Sequence, residues 1–172
     1  MYQNALFLLI YLVDSKKITT FIAFIILRFM RKTERTYNSN LRGEHFVAAV
    51  QQRLRSDKHH TPFRLICSQV ASQPAPQFYV SPQVAMSKYW EYKRTGIVRA
   101  AHETTRQMYL EIIRRVDERL SQSPCRMYLY RVIQDVIEEP APSFYIESNE
   151  IAAAVYYYRF ISAKRKKNRK AK

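Results

Sequence analysis

Apolar positions along the chain fall into two sets with the same internal spacing. Phe46, Val47, Val50 and Leu54 follow i, i+1, i+4, i+8, and Ile112, Ile113, Val116 and Leu120 follow it again. That spacing collects side chains on one face of a helix. Phe63, Ile66, Cys67, Val70 and Ala71 follow i, i+3, i+4, i+7, i+8, as do Leu129, Val132, Ile133, Val136 and Ile137. A second helix is predicted in each set. Pro62 and Pro124 lie near the starts of these second helices, where proline is tolerated. A third helix follows, with Ala85, Tyr89 and Tyr92 matching Ile151, Val155 and Tyr158 at i, i+4, i+7. Ser81-Pro82 supplies its cap and first residue, and Ser148 is the expected cap in the second set.

The two sets are related by a gapless offset of 66 residues (Pro140 against Pro74). Pro74-Ala-Pro-Gln-Phe-Tyr-Val80 returns as Pro140-Ala-Pro-Ser-Phe-Tyr-Ile146, and Val50, Arg53 and Leu54 return as Val116, Arg119 and Leu120. Five identities within six consecutive positions argue for an internal duplication. Pro-Ala-Pro stops the second helix of each unit, because proline cannot continue a helix and biases its predecessor away from helical angles. Phe78-Tyr79-Val80 and Phe144-Tyr145-Ile146 read as short extended segments that pair with each other. The expected fold is therefore all-α, a tandem duplication of a three-helix unit (helix, helix, Pro-Ala-Pro-x-Phe-Tyr turn, helix) with a tiny two-stranded β pairing at the turns. Its expected divisions are an apolar segment over 1–30, a first repeat over 31–97, a second over 98–163 and a tail over 164–172. Residues 94–106 form the junction and read as helical. One unit alone has a marginal core, so two copies packed about a pseudo-two-fold axis are expected.

Residues 5–13 and 21–30 are apolar runs separated by Asp14, Lys16 and Lys17. Neither reaches the roughly 20 apolar residues that a spanning helix needs, and joining them would place charges at mid-membrane. Three readings stay open. The stretch is upstream sequence with Met30 as the true start, or a membrane-associating hairpin whose Arg28, Arg31, Lys32 and Arg35 meet anionic headgroups, or a pair of core helices.

Composition narrows the chemistry. Gly43 and Gly96 are the only glycines among 172 residues, so phosphate cradles such as G-x-G-x-x-G and G-x-x-x-x-G-K-[ST] cannot be written. Cys67 and Cys125 form no framework and read as apolar residues in a reducing, cytoplasmic setting. Lys plus Arg outnumber Asp plus Glu by 29 to 14, a formal charge of +15. Seven of the nine residues in KRKKNRKAK (164–172) are basic, which leaves +15 − 7 = +8 on the body. Such a balance predicts a phosphate-rich partner.

That partner is expected to be nucleic acid, with DNA favoured over RNA. An anionic membrane surface and a homo-oligomer are the other partners considered. The expected contacts are Lys88, Lys93, Arg94 and Arg159 on the third helices, and Lys164, Arg165, Lys166, Lys167, Arg169, Lys170 and Lys172 in the tail. The order of second helix, turn and third helix is helix-turn-helix-like at best, since the DNA-binding motif uses a turn of three or four residues. Of the aromatic side chains near these positions, Tyr92 and Tyr158 fall on the repeated apolar face. Tyr157 falls off it and is expected to be exposed.

Catalysis finds little support. His102-Glu103 begins like H-E-x-x-H but Arg106 stands where the second ligand belongs. His59 and His60 are adjacent and cannot chelate as an i, i+4 pair. Glu138-Glu139 reads as a solvated helix end, and no Ser or Cys nucleophile has a companion base. No cofactor or metal is expected, and no residue is assigned a catalytic role. The rival to the nucleic-acid reading is a helical protein-interaction module, tethered to a membrane through the N-terminal apolar segment.

Overall fold

Within Pro-Ala-Pro only the alanine carries a backbone N–H, and once buried that donor must find an acceptor. The computed structural model, which describes residues 38–122 and 128–170, shows where it goes. Ala75 N–H donates to the Ala141 carbonyl at 2.9 Å, and Ala141 N–H donates back to Ala75 at 2.9 Å. The exchange forms one isolated antiparallel bridge. Three residues further on, Phe78 N–H reaches the Ile137 carbonyl (2.9 Å) and Phe144 N–H reaches the Ala71 carbonyl (3.3 Å). Donors and acceptors again exchange at the same offset, since 144 − 78 and 137 − 71 both equal 66.

All regular structure among the described residues is helical. Helix α1 covers 38–56, α2 Phe63–Ala71, α3 Pro82–Thr95, α4 Glu103–Gln122, α5 Leu129–Glu138 and α6 Glu150–Lys170. The Phe-Tyr segments form no strands among the described residues, and the pairing falls at Ala75 and Ala141 instead. Their rings stack across the bridge, Phe78 with Tyr145 (centroids 6.1 Å apart) and Tyr79 with Phe144 (6.3 Å).

Periodicity identified most of the buried face of the first two helices in each set, although Leu54 is 39% exposed. Phe46, Val50, Ile66, Cys67, Val70, Ile112, Ile113, Val116, Val132, Ile133 and Val136 are all core. What periodicity could not give is which helix each face meets. The long Pro-containing connections carry the chain across, so α2 packs on α6 and α3 on α5. Helices α2 and α3 make no packing contact with each other, so the helix-turn-helix-like arrangement is not formed between them.

The expected register fails in the last helix. Ile151, Val155 and Tyr158 are 61%, 39% and 59% exposed, while Ala153, Ala154 and Tyr157 are buried. One residue, Ser81, separates Val80 from α3, but three separate Ile146 from α6. Two extra residues rotate a helical face by about 200° at 3.6 residues per turn. Ala85 and Tyr89 therefore correspond in burial to Ala153 and Tyr157, and Tyr157 is not an exposed aromatic. The cap moves with the helix: the Asn149 side-chain oxygen accepts from Ile151 N–H (2.9 Å) and Ala152 N–H (3.3 Å), replacing the expected Ser148.

The junction over 94–106 is broken rather than helical. Gly96 closes α3 with φ +69°, the left-handed conformation that favours glycine, and its N–H bonds to Tyr92 O at 2.7 Å. Gly43 serves a different need. It lies within α1, where glycine costs about 1 kcal/mol relative to alanine, but a Cβ there would lie 2.2 Å from Cδ2 of the Phe160 ring of α6. We expect Gly43→Ala to lower stability by about 1–2 kcal/mol, because overpacking outweighs the propensity gain. Shortening the partner with Phe160→Ala should cancel most of that difference in a urea-denaturation cycle. A Gly43→Ala protein more stable than the parent would disprove the α1–α6 contact.

Cys67 is fully buried, and burial pushes its thiol up to about 11. Cys125, Pro124 and the apolar runs of 1–30 lie outside the described residues. No described helix is long and apolar enough to cross a membrane.

Candidate nucleic-acid interface

The basic side chains of α3 divide into engaged and free. Lys88 Nζ lies 2.6 Å from Glu91 Oε2 and donates to the Arg99 carbonyl at 2.6 Å. Lys93 Nζ bonds Asp117 Oδ2 of α4 at 2.8 Å, beside the Tyr89 hydroxyl, which donates to Asp117 Oδ1 at 2.9 Å. The bond to Asp117 raises the Lys93 ammonium above its ordinary value. Both lysines thus fasten α3 to its surroundings. Arg94 is exposed and lines a groove with Trp90 and Arg99.

Arg159 of α6 is also exposed, but it lines a separate groove with Arg42, His102 and Tyr156. There Arg42 Nε donates to the Tyr156 hydroxyl at 3.2 Å. Beside it the buried Tyr79 hydroxyl shares a 2.9 Å hydrogen bond with His45 Nδ1. Burial holds the Tyr79 hydroxyl well above the ordinary tyrosine range, against the opposing charge of Arg42.

Residues 164–170 of the tail are helical. Helix α6 continues to Lys170, through residues expected only to follow it. Lys164 pairs with Glu44 of α1 at 3.4 Å, with both side chains at least half exposed. Beyond that pair Lys166 and Arg169 are exposed. Arg165, Lys167 and Lys170 lie on the same helical backbone, and Lys172 lies outside the described residues.

No family model, curated protein or solved structure matches the chain.

Several polar residues take parts that the linear pattern did not suggest. Glu139 is not a solvated end: it pairs with Arg115 (3.1 Å) and with Arg119, tying the first turn after α5 back to α4. Arg115 also donates to the Pro140 carbonyl at 3.0 Å and covers the Phe78 ring at 5.1 Å. Glu103, from the incomplete H-E-x-x-H, pairs with Arg106 at 2.8 Å. Among the described residues no three His, Cys, Asp or Glu side chains are grouped to hold a metal.

Glu111 bonds Arg114 (2.7 Å) and Arg115 (2.8 Å), and these guanidinium groups hold its carboxyl down at about 2. A carboxylate with a depressed folded-state value contributes stability above its unfolded value, near 4.3, and loses it as pH falls through the folded one. We therefore expect acid destabilisation between about pH 4.5 and pH 2 that is weaker in Glu111→Gln, as followed by urea midpoints. Parallel pH profiles for the two proteins would contradict this.

Proposed function

We propose that the chain is a non-catalytic nucleic-acid-binding protein, in which a duplicated helical body presents a basic helical extension to phosphate groups. Four features support the duplication: the reciprocal bonds of Ala75 with Ala141, the reciprocal bonds of Phe78 and Phe144, the crossed ring stacking, and the crossed packing of α2 on α6 and α3 on α5. Each exchanges partners as a two-fold axis would require. The repeats are 31–97 and 98–163, with two residues added before α6.

The observation that carries the functional reading is the continuation of α6 to Lys170 through KRKKNRK. A helix is about 10–12 Å across with its side chains, and the major groove of B-form DNA is about 12 Å wide. The A-form RNA major groove is too deep and narrow for side-chain readout. Duplex DNA is thus the better fit, with Lys and Arg releasing counterions and no base being specified. Arg94, Arg159 and the exposed tail residues are the contacts this reading uses. Lys88 and Lys93 contribute positive potential while holding α3 in place.

Anisotropy titrations of duplex DNA and duplex RNA of one sequence test it. The expected dissociation constant for DNA is about 10⁻⁶–10⁻⁴ M near physiological salt, tightening as salt falls, with RNA weaker. Absence of DNA binding at low salt would remove the proposal.

A further inference from the structure

Helix α3 presents an exposed tryptophan beside two arginines, an aromatic face flanked by positive charge. Trp90 is 58% exposed, although Ala85 and Tyr89 of the same helix are buried. Ser87, Trp90, Glu91 and Arg94 follow i, i+3, i+4, i+7 and share one face of α3. Arg99 completes that face from outside the helix, closing a shallow groove of about 610 Å³.

Its position is built, not incidental. After the Gly96 cap the chain turns back, and Val98 is buried at 4% exposure. Arg99 N–H bonds Glu91 Oε1 at 3.4 Å, and its carbonyl accepts from Lys88 Nζ at 2.6 Å. The backbone that carries the Arg99 side chain is thereby pinned from both sides. The Trp90 ring packs edge-on against Tyr89 (centroids 5.7 Å apart, 80°), and Tyr89 is held by Asp117. Glu91, the acid of this face, is paired with Lys88, and Arg94 has no ion pair among the described residues. Over 82–99 the charges sum to +4 − 1 = +3.

We infer that Trp90, Arg94 and Arg99 form a site for single-stranded nucleic acid, with a base stacked on the indole and its flanking phosphates on the two guanidinium groups. The site rests on the nucleic-acid reading above but is distinct from the α6 extension. A base within a duplex has both faces covered by its neighbours, so the indole platform accepts only an unpaired one. Aromatic stacking of this kind tolerates any base, because every base has a π face.

Trp90 is the only tryptophan of the chain, so its emission reports the stacking directly. A labelled oligothymidylate of about 15 nucleotides is titrated into full-length protein at low salt, with anisotropy reporting binding and indole emission reporting stacking. Quenching of Trp90 should saturate together with anisotropy, and should persist in a chain ending at Ala163. Trp90→Ala should weaken oligothymidylate binding about tenfold, with duplex DNA unaffected, and Trp90→Phe should recover most of the loss. Arg94→Gln combined with Arg99→Gln should flatten the salt dependence by about 0.7 in log–log slope for each phosphate no longer neutralised. If anisotropy shows binding while indole emission stays constant and Trp90→Ala binds normally, the stacking site is wrong and the tail reading stands. If neither oligothymidylate nor duplex binds at low salt, both fail.

Discussion

Phe144→Ala is expected to lower the free energy of unfolding by about 3–5 kcal/mol, and Phe78→Ala by a similar amount. Both rings are buried, at 2% and 0% exposure. Phe144 packs edge-on against Phe46 at 5.5 Å and stacks on Tyr79 at 6.3 Å. Phe78 lies under the Arg115 guanidinium and stacks on Tyr145. Removing either ring leaves a cavity beside the only backbone bridge among the described residues, where the exchanged hydrogen bonds resist collapse. The sites share neighbours, so the double variant should depart from additivity by at least about 0.5 kcal/mol. Domains of this size hold about 5–15 kcal/mol in total, which brings the double variant close to unfolding. Urea denaturation followed by circular dichroism measures all three. Trp90→Ala is a surface control expected to stay within about 0.5 kcal/mol. Costs below about 1 kcal/mol for both single changes would mean that the crossed turns do not hold the body together.

Ending the chain at Ala163 is expected to lower affinity for duplex DNA about 100-fold or more near 0.1 M salt while leaving stability unchanged. Each phosphate contact contributes about 0.9 to the log–log salt slope, and six to ten of them change affinity 10³–10⁵-fold between about 50 and 200 mM salt. The tail holds seven of the 29 basic residues, so its loss removes a large share of the available phosphate partners. Folding should not suffer. The described tie between this segment and the body is the exposed pair Lys164–Glu44, and exposed pairs contribute little. A truncated protein with an unchanged denaturation midpoint and full DNA affinity would show that the body alone binds.

The helices that bury one continuous stripe were legible from apolar spacing, because burial acts on a single face with period 3.6. Phe46, Val50, Val116, Val132 and Val136 all fall where that spacing puts them. Pro-Ala-Pro was legible as a helix stop for the same local reason. What failed was whatever depended on length outside a helix or on another part of the chain. Three residues precede α6 where one precedes α3, which turns Ile151, Val155 and Tyr158 outward and Tyr157 inward, and a gapless offset hides that difference. Glu139 looked solvated because its partners, Arg115 and Arg119, are about 20 residues away in sequence and reach it only through the fold. Of the candidate site, the tail was legible from composition alone. The Trp90–Arg94–Arg99 groove was not, because Arg99 joins it only after Gly96 ends α3 and turns the chain back.

Whether the helical body docks on phosphates through its basic extension is decided by one comparison. Duplex-DNA affinity is measured from about 50 to 200 mM salt for the full chain and for the chain ending at Ala163. A steep negative log–log slope is expected for the full chain, and a slope shallower by several units for the shortened one. Equal slopes, or no binding by the full chain at the lowest salt, would contradict it.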